Sequence, residues 1–138
     1  MPQNFIPMLS YEDGLAALAW LKAVFDCNEG TQIVDDHGRL AHGELELDGQ
    51  KIMLATPSPD YQSPKTVRRS SRAAAKLAES VPYIIDGVLV YVPSISDVFE
   101  RAKANGAVIL SDVEEGGPGT RFRMEDPEGH RWYVIERR

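Results

Sequence analysis

The chain writes one folding unit twice, and that repetition limits its fold more than any single motif does. Both halves read strand, helix, strand, strand, strand. In each, the last two strands meet at a turn that starts on Asp and ends on Gly, so ELDGQKIML and MEDPEGHRWYV are two versions of one hairpin. A supersecondary unit repeated within a chain signals one architecture built from copies. The prediction is an α+β fold: two tandem βαβββ modules, each with a mostly antiparallel sheet and a helix on one face.

The local signals fit this frame. In NFIPMLS, Pro7 confines residues 4–10 to an edge strand or a strand end. Asp13 can cap a helix whose Leu15, Leu18, Leu21 and Phe25 recur at near-helical spacing, with Ala19 and Ala23 beside them. TQIVD at 31–35 reads as a strand, and RLAHGELELDGQKIMLATP as two strands joined at Asp48-Gly49, a strong hairpin signal. PSPDYQSPKTVRRSSR reads as an exposed, basic connection, followed by a short helix over SSRAAAKLAES. Lys65, Arg68, Arg69 and Arg72 are expected to be a solvated surface rather than an anion site. The pattern then restarts with DGVLVYVPS. A helix over ISDVFERAKANGA follows, capped by Ser94 or Ser96 and stopped at Gly106. VILSD, TRFRMED and HRWYVIER supply three more strands, the last two joined through Asp126 to Gly129. A single domain is expected over 1–138, with module one at about 1–58, a connection at about 59–85 and module two at about 86–138.

Composition excludes several classes of function. Fifteen Lys and Arg against 21 Asp and Glu give a net charge of −6, which disfavours a phosphate-backbone partner and suits a neutral or cationic one. No apolar run approaches the ~20 residues of a membrane span. The start, MPQNFIPMLSYED, lacks the basic and apolar regions of a secretory signal. A lone cysteine, Cys27, allows no intramolecular disulfide, and its acidic neighbours disfavour a reactive thiolate. A cytoplasmic protein without nucleic-acid or membrane partners is expected. GGPG at 116–119 lacks the Lys and the helix of a phosphate loop.

PMLSYEDGLAALAWLKAVF, HGELELDGQKIML, DGVLVYVPSISDVFERAKANGA and RFRMEDPEGHRWYVIE together resemble the glyoxalase/bleomycin-resistance/extradiol-dioxygenase superfamily, also called vicinal oxygen chelate, and its PhnB-like and bleomycin-resistance-like branch in particular. The resemblance covers nearly the whole chain outside the connection. It implies that the mixed sheet curls around a cavity with helices outside, that the protein is a homodimer, and that a divalent metal is held by His, Glu or Gln from the first and last strand of each module. Aligned by motif, those ligand positions fall on Ile6, Met53, Gly87 and Tyr133. Hard divalent ions favour imidazole and carboxylate, so no metal and no other cofactor is expected.

Other residues are candidates for a replacement site. In LAHGELEL, Ala41, Gly43, Leu45 and Leu47 alternate with His42, Glu44 and Glu46. The apolar set should pack on the helix, leaving the polar set toward the cavity or water. His42 and Glu44 are the catalytic candidates, with Glu44 a general base of raised pKa if buried. Arg121 and Arg123 share a face and could clamp a carboxylate or pair with Glu44 or Glu46. Leu89, Tyr91, Arg131, Tyr133 and Ile135 share the parity of the ligand positions. With Met8 and Met53, several of these would make a pocket of soft and aromatic side chains. The reading favoured by the sequence is a small-molecule-binding protein that sequesters or processes a hydrophobic or cationic antibiotic-like compound without the usual metal. The alternatives are a metal-dependent lactoylglutathione-lyase-like or dioxygenase-like enzyme at His42, Glu44 and Glu46, and a non-catalytic dimeric scaffold.

Overall fold

A computed structural model describes residues 2–79 and 86–137; residues 80–85, the end of the expected connection, lie outside the described residues. The chain divides into two compact units between Gln62 and Ser63.

The first unit contains β1 (Met8–Ser10), α1 (Gly14–Phe25), β2 (Asn28–Val34), β3 (Leu40–Leu47) and β4 (Gln50–Ala55). Its sheet runs β1-β4-β3-β2, with β1 parallel to β4 and the other pairs antiparallel. Pro7 has no N–H to give, so β1 begins only after it, and the Pro7 carbonyl accepts from Met53 N at 2.9 Å. Asp13 caps α1 as expected, its carboxylate accepting from Ala16 N at 3.0 Å. The helix buries Ala17, Leu18, Leu21, Val24 and Phe25, on the side that meets Leu40, Leu45 and Leu54 of the sheet. Burial of each Leu, Val or Phe side chain among them contributes about 1.5–3 kcal/mol. Asp48 and Gly49 both take positive φ, 52° and 77°, the requirement of the two-residue hairpin expected there.

Strict alternation along LAHGELEL fails at one residue. The register shifts where Val34 meets Leu40 and Ile33 meets His42. The extra residue, Ala41, is pushed out to solvent, and Leu40 takes its place over Gly14 and Gly43. From His42 onward the expected alternation holds.

The second unit contains α2 (Pro64–Ser70), α3 (Arg72–Glu79), β5 (Gly87–Val92), α4 (Ile95–Ala104), β6 (Val108–Glu114), β7 (Gly119–Glu125) and β8 (Arg131–Arg137). Its sheet runs β5-β8-β7-β6 and repeats the first sheet pair for pair. Two tandem βαβββ modules are therefore present, in an α+β fold of two open four-stranded mixed sheets. Ser94 caps α4, accepting from Asp97 N at 3.4 Å, while the Glu136 carboxylate accepts from Ile95 N at 3.0 Å. The helix side of this sheet is closed by Phe122, Met124, Trp132 and Val134, each at most 2% exposed. Phe99 meets Phe122 edge-on, with ring centroids 5.0 Å apart.

Helix α2 lies in the stretch read from sequence as an exposed connection. Its start is marked by Ser63, whose hydroxyl accepts from Thr66 N, followed by Pro64 at the first helical position. The Asp126–Gly129 turn forms as expected and is latched by Asp126. That carboxylate accepts from His130 N at 3.0 Å, Glu128 N at 3.1 Å and Trp132 Nε1 at 3.0 Å.

Candidate functional site

Each sheet has one face covered by its helix and one face turned the other way. In the first sheet, the face away from α1 presents Met8, Met53, His42, Glu44 and Glu46. Cross-strand pairing puts Glu44 opposite Met53, and Met53 opposite Met8. Met8 is 78% exposed. Glu44 is the polar centre of this face, its side chain only 12% exposed. Oε2 lies 2.9 Å from His42 Nε2, and Oε1 accepts from Thr31 N at 3.3 Å and Lys51 Nζ at 3.4 Å. A bulge in β2 makes this possible. Two residues, Gly30 and Thr31, stand opposite Glu44, and a side chain at Gly30 would sit 2.8 Å from Oε1.

The contact with His42, then the Thr31 N–H and Lys51, hold the Glu44 carboxyl below the usual glutamate range. The expectation of a raised pKa is thus reversed, because burial came with donors. A carboxylate so satisfied is a weak proton acceptor at neutral pH. Sequence reasoning missed Lys51 and Thr31. Lys51 was legible, since it shares the parity of Met53 on β4.

In the second sheet, the face away from α4 presents Leu89, Tyr91, Arg121, Arg123, Glu125, Arg131, Tyr133 and Ile135. Arg123 lies opposite Tyr133, and Tyr133 opposite Leu89. This is the arrangement of Glu44, Met53 and Met8 in the first copy, with Arg123 in the place of Glu44. The Arg123 guanidinium lies over the Tyr133 ring, 4.1 Å from its centroid, and Arg137 lies over Tyr91 at 4.0 Å. Arg121 is held by the Gly116 carbonyl at 2.8 Å, the Gly119 carbonyl at 3.3 Å and Glu114 at 3.4 Å. Leu89 and Tyr91 are 47% and 39% exposed.

At the other end of this face is a buried ion cluster that the sequence did not reveal. Glu125, 5% exposed, receives two hydrogen bonds from Arg68 and one from Arg131 Nε, all of 2.9 Å. Arg131 also donates to the Ala78 carbonyl and Arg68 to that of Gly129. Arg68 therefore leaves the solvated basic patch in which sequence reading placed it.

The four positions that the sequence resemblance assigns to metal ligands, Ile6, Met53, Gly87 and Tyr133, carry neither imidazole nor carboxylate. Ile6 precedes β1, Met53 pairs with Met8, Gly87 starts β5 opposite Arg131, and Tyr133 carries Arg123 on its ring. A thioether and a phenol are the donors there, against the imidazole and carboxylate that hard divalent ions favour. Among the described residues, no group of three or more His, Cys, Asp or Glu side chains is placed to hold a metal ion. His37 and its acidic neighbours form an exposed turn, with Asp35 accepting from His37 N at 2.8 Å. No helix among the described residues is long and apolar enough to cross a membrane.

No family model matches the sequence. Uncharacterized proteins of Mycobacterium bovis and Mycobacterium tuberculosis are 24% identical over 127 residues, 91% of this chain and 78% and 69% of their own lengths. Among solved structures, TioX from Micromonospora sp. ML1 superposes with a TM-score of 0.68 at 22% identity, covering 99% of this chain and all of TioX. The genomically encoded fosfomycin resistance protein FosX from Listeria monocytogenes superposes at 0.64 and 13% identity, covering 99% of this chain and 92% of FosX. One FosX structure holds Mn(II) and a dihydroxypropylphosphonic acid. A PhnB protein from Bacillus cereus superposes at 0.64 and 15% identity, covering 97% and 99%. With its two βαβββ copies and these neighbours, the chain has the vicinal oxygen chelate fold.

Proposed function

We propose that this protein binds a small, partly apolar organic compound of antibiotic-like character, and sequesters it without the divalent metal used by enzymes of the same fold. The observation that carries the reading is the donor set at the four family ligand positions: Ile6, Met53, Gly87 and Tyr133 offer neither imidazole nor carboxylate. The faces turned away from α1 and α4 bear Met8, Leu89, Tyr91 and Tyr133, soft and aromatic side chains of the kind that line small-molecule sites. The fold shared with a fosfomycin resistance protein supports a role in handling a toxic compound. The resemblance also implies a homodimer, and we take the cytoplasm as its compartment.

The reading is tested by metal analysis of protein purified without chelator, paired with a thermal-shift screen of organic ligands. Ligand hits on metal-free protein are expected; a ligand at 100 times its Kd raises stability by about 2.7 kcal/mol. Near-stoichiometric Zn, Ni, Fe or Mn, with turnover of a methylglyoxal–glutathione adduct, would overturn the reading in favour of a lyase at His42, Glu44 and Glu46.

A further inference from the structure

The second sheet presents a cation whose counter-charge is missing. On the face away from α4, Arg121 pairs with Glu114, while Arg131 pairs with Glu125, which Arg68 also grips. Arg123 has none of this. Its backbone N–H donates to Ser111 Oγ at 3.0 Å. Among the described residues of the second unit, its guanidinium meets no carboxylate or carbonyl oxygen, only the ring of Tyr133. It stands on β7, an interior strand, so the position is a sheet centre and not a frayed edge. A half-buried guanidinium held over a ring, 4.1 Å from its centroid, is weakly hydrated and keeps a planar fork of N–H donors that matches a planar oxyanion.

A second observation points the same way. Arg131, with its side chain 7% exposed, has an Nη1 that is enclosed and, among the described residues, without an acceptor. The buried cluster of Arg68, Glu125 and Arg131 sets two guanidiniums against one carboxylate. Positive charge is thus in excess beside Arg123, on the same face. Excess positive charge in a partly desolvated setting attracts an anion more strongly than it would in bulk water.

We infer that this face takes a small aromatic carboxylate, its carboxylate on the Arg123 fork and its ring against Leu89 and Tyr91. The inference rests on the ligand-binding reading above and names the chemical class of the ligand. It reverses the expectation drawn from net charge. A formal −6 spread over the chain suits a cation, but charges more than about 8 Å apart are largely screened at physiological ionic strength. The sign that matters is the local one, and here it is positive.

The test uses the full chain and four probes titrated by calorimetry: naphthoate, naphthamide and naphthylmethylammonium, which share one shape, and inorganic phosphate. Naphthoate is expected to bind more tightly than the other three. Arg123→Gln should weaken it about tenfold or more, the scale of losing a bidentate charge-assisted contact, while Arg123→Lys recovers part of the loss. Arg69→Gln, an exposed control, should leave it unchanged. Circular dichroism and thermal melts verify that each variant is folded. Equal affinity for naphthoate and naphthamide, or no effect of Arg123→Gln, overturns the inference and leaves ligand binding standing. Preference for the ammonium probe does the same. Inorganic phosphate binding as tightly as naphthoate removes the organic part of the assignment. Binding of no probe overturns the inference, and ligand binding falls with it only if the wider thermal-shift screen is also empty.

Discussion

Arg68 meets Glu125 through two parallel hydrogen bonds of 2.9 Å, Nη1 to Oε1 and Nη2 to Oε2. This fork-to-fork contact ties α2 to the end of β7, and Arg131 closes it from β8. A buried pair of this kind contributes little against an apolar replacement of both partners, but removing one partner strands the other.

Glu125→Ala therefore leaves the enclosed Arg131 guanidinium and the half-buried one of Arg68 without this counter-charge. The expected loss is about 3–5 kcal/mol, read from urea unfolding. Glu46→Ala, at a carboxylate outside this cluster, serves as the comparison. Equal midpoints for the two variants would show that the cluster does not stabilise the fold.

Gly119 opens β7 with φ of +150°, and a Cβ added there would lie 2.1 Å from the Glu136 carbonyl oxygen. The obstacle is backbone and cannot rotate aside. Gly119→Ala should cost more than about 1 kcal/mol, the scale at which an incompatible φ outweighs the entropic gain of alanine. A melting temperature at or above that of the parent would refute this.

Glu44 sets an acid limit on stability. Its folded pKa is depressed, first by His42 and then by the Thr31 N–H and Lys51. Folding thus favours the carboxylate. The contribution is present above the ordinary glutamate pKa of about 4.3 and disappears as pH falls through the lower folded value. The stability gap between the parent and Glu44→Gln should be widest near neutral pH and close in acid. A gap independent of pH, measured by urea midpoints across that range, would count against it.

Cys27 should be slow to alkylate. Burial, more than the neighbouring Asp26 and Glu29, pushes its thiol above the ordinary value, and the side chain is enclosed. Iodoacetamide at neutral pH should label native protein at least about tenfold more slowly than urea-unfolded protein. Equal rates would show that the thiol is open to solvent.

The repeat made most of the fold legible. Asp13, Asp48-Gly49, Ser94 and the Asp126–Gly129 turn act where the sequence placed them, because caps and turns are set by residues close in the chain. Strand β2 ran longer than expected, since Asn28 and Glu29 are poor strand formers yet pair with Glu46 and Leu45 of β3. The alternation in β3 failed at Ala41, where a bulge intervened. The site was legible by face but not by partner. Parity put Arg121, Arg123 and Tyr133 together, yet nothing in RRSSR says that Arg68 will find Glu125, 57 residues away. Such pairings depend on how α2 docks, which local sequence does not encode.

Glu44 and Arg123 occupy one rung of the same ladder in successive copies, each beside the last strand of its unit. The scaffold is therefore indifferent to the sign of charge it carries there. A duplicated backbone that accepts a carboxylate in one copy and a guanidinium in the other lets chemical preference diverge copy by copy. Selectivity in such a chain can be rewritten at a single position while the architecture, and the chemistry of the sister copy, stay as they are.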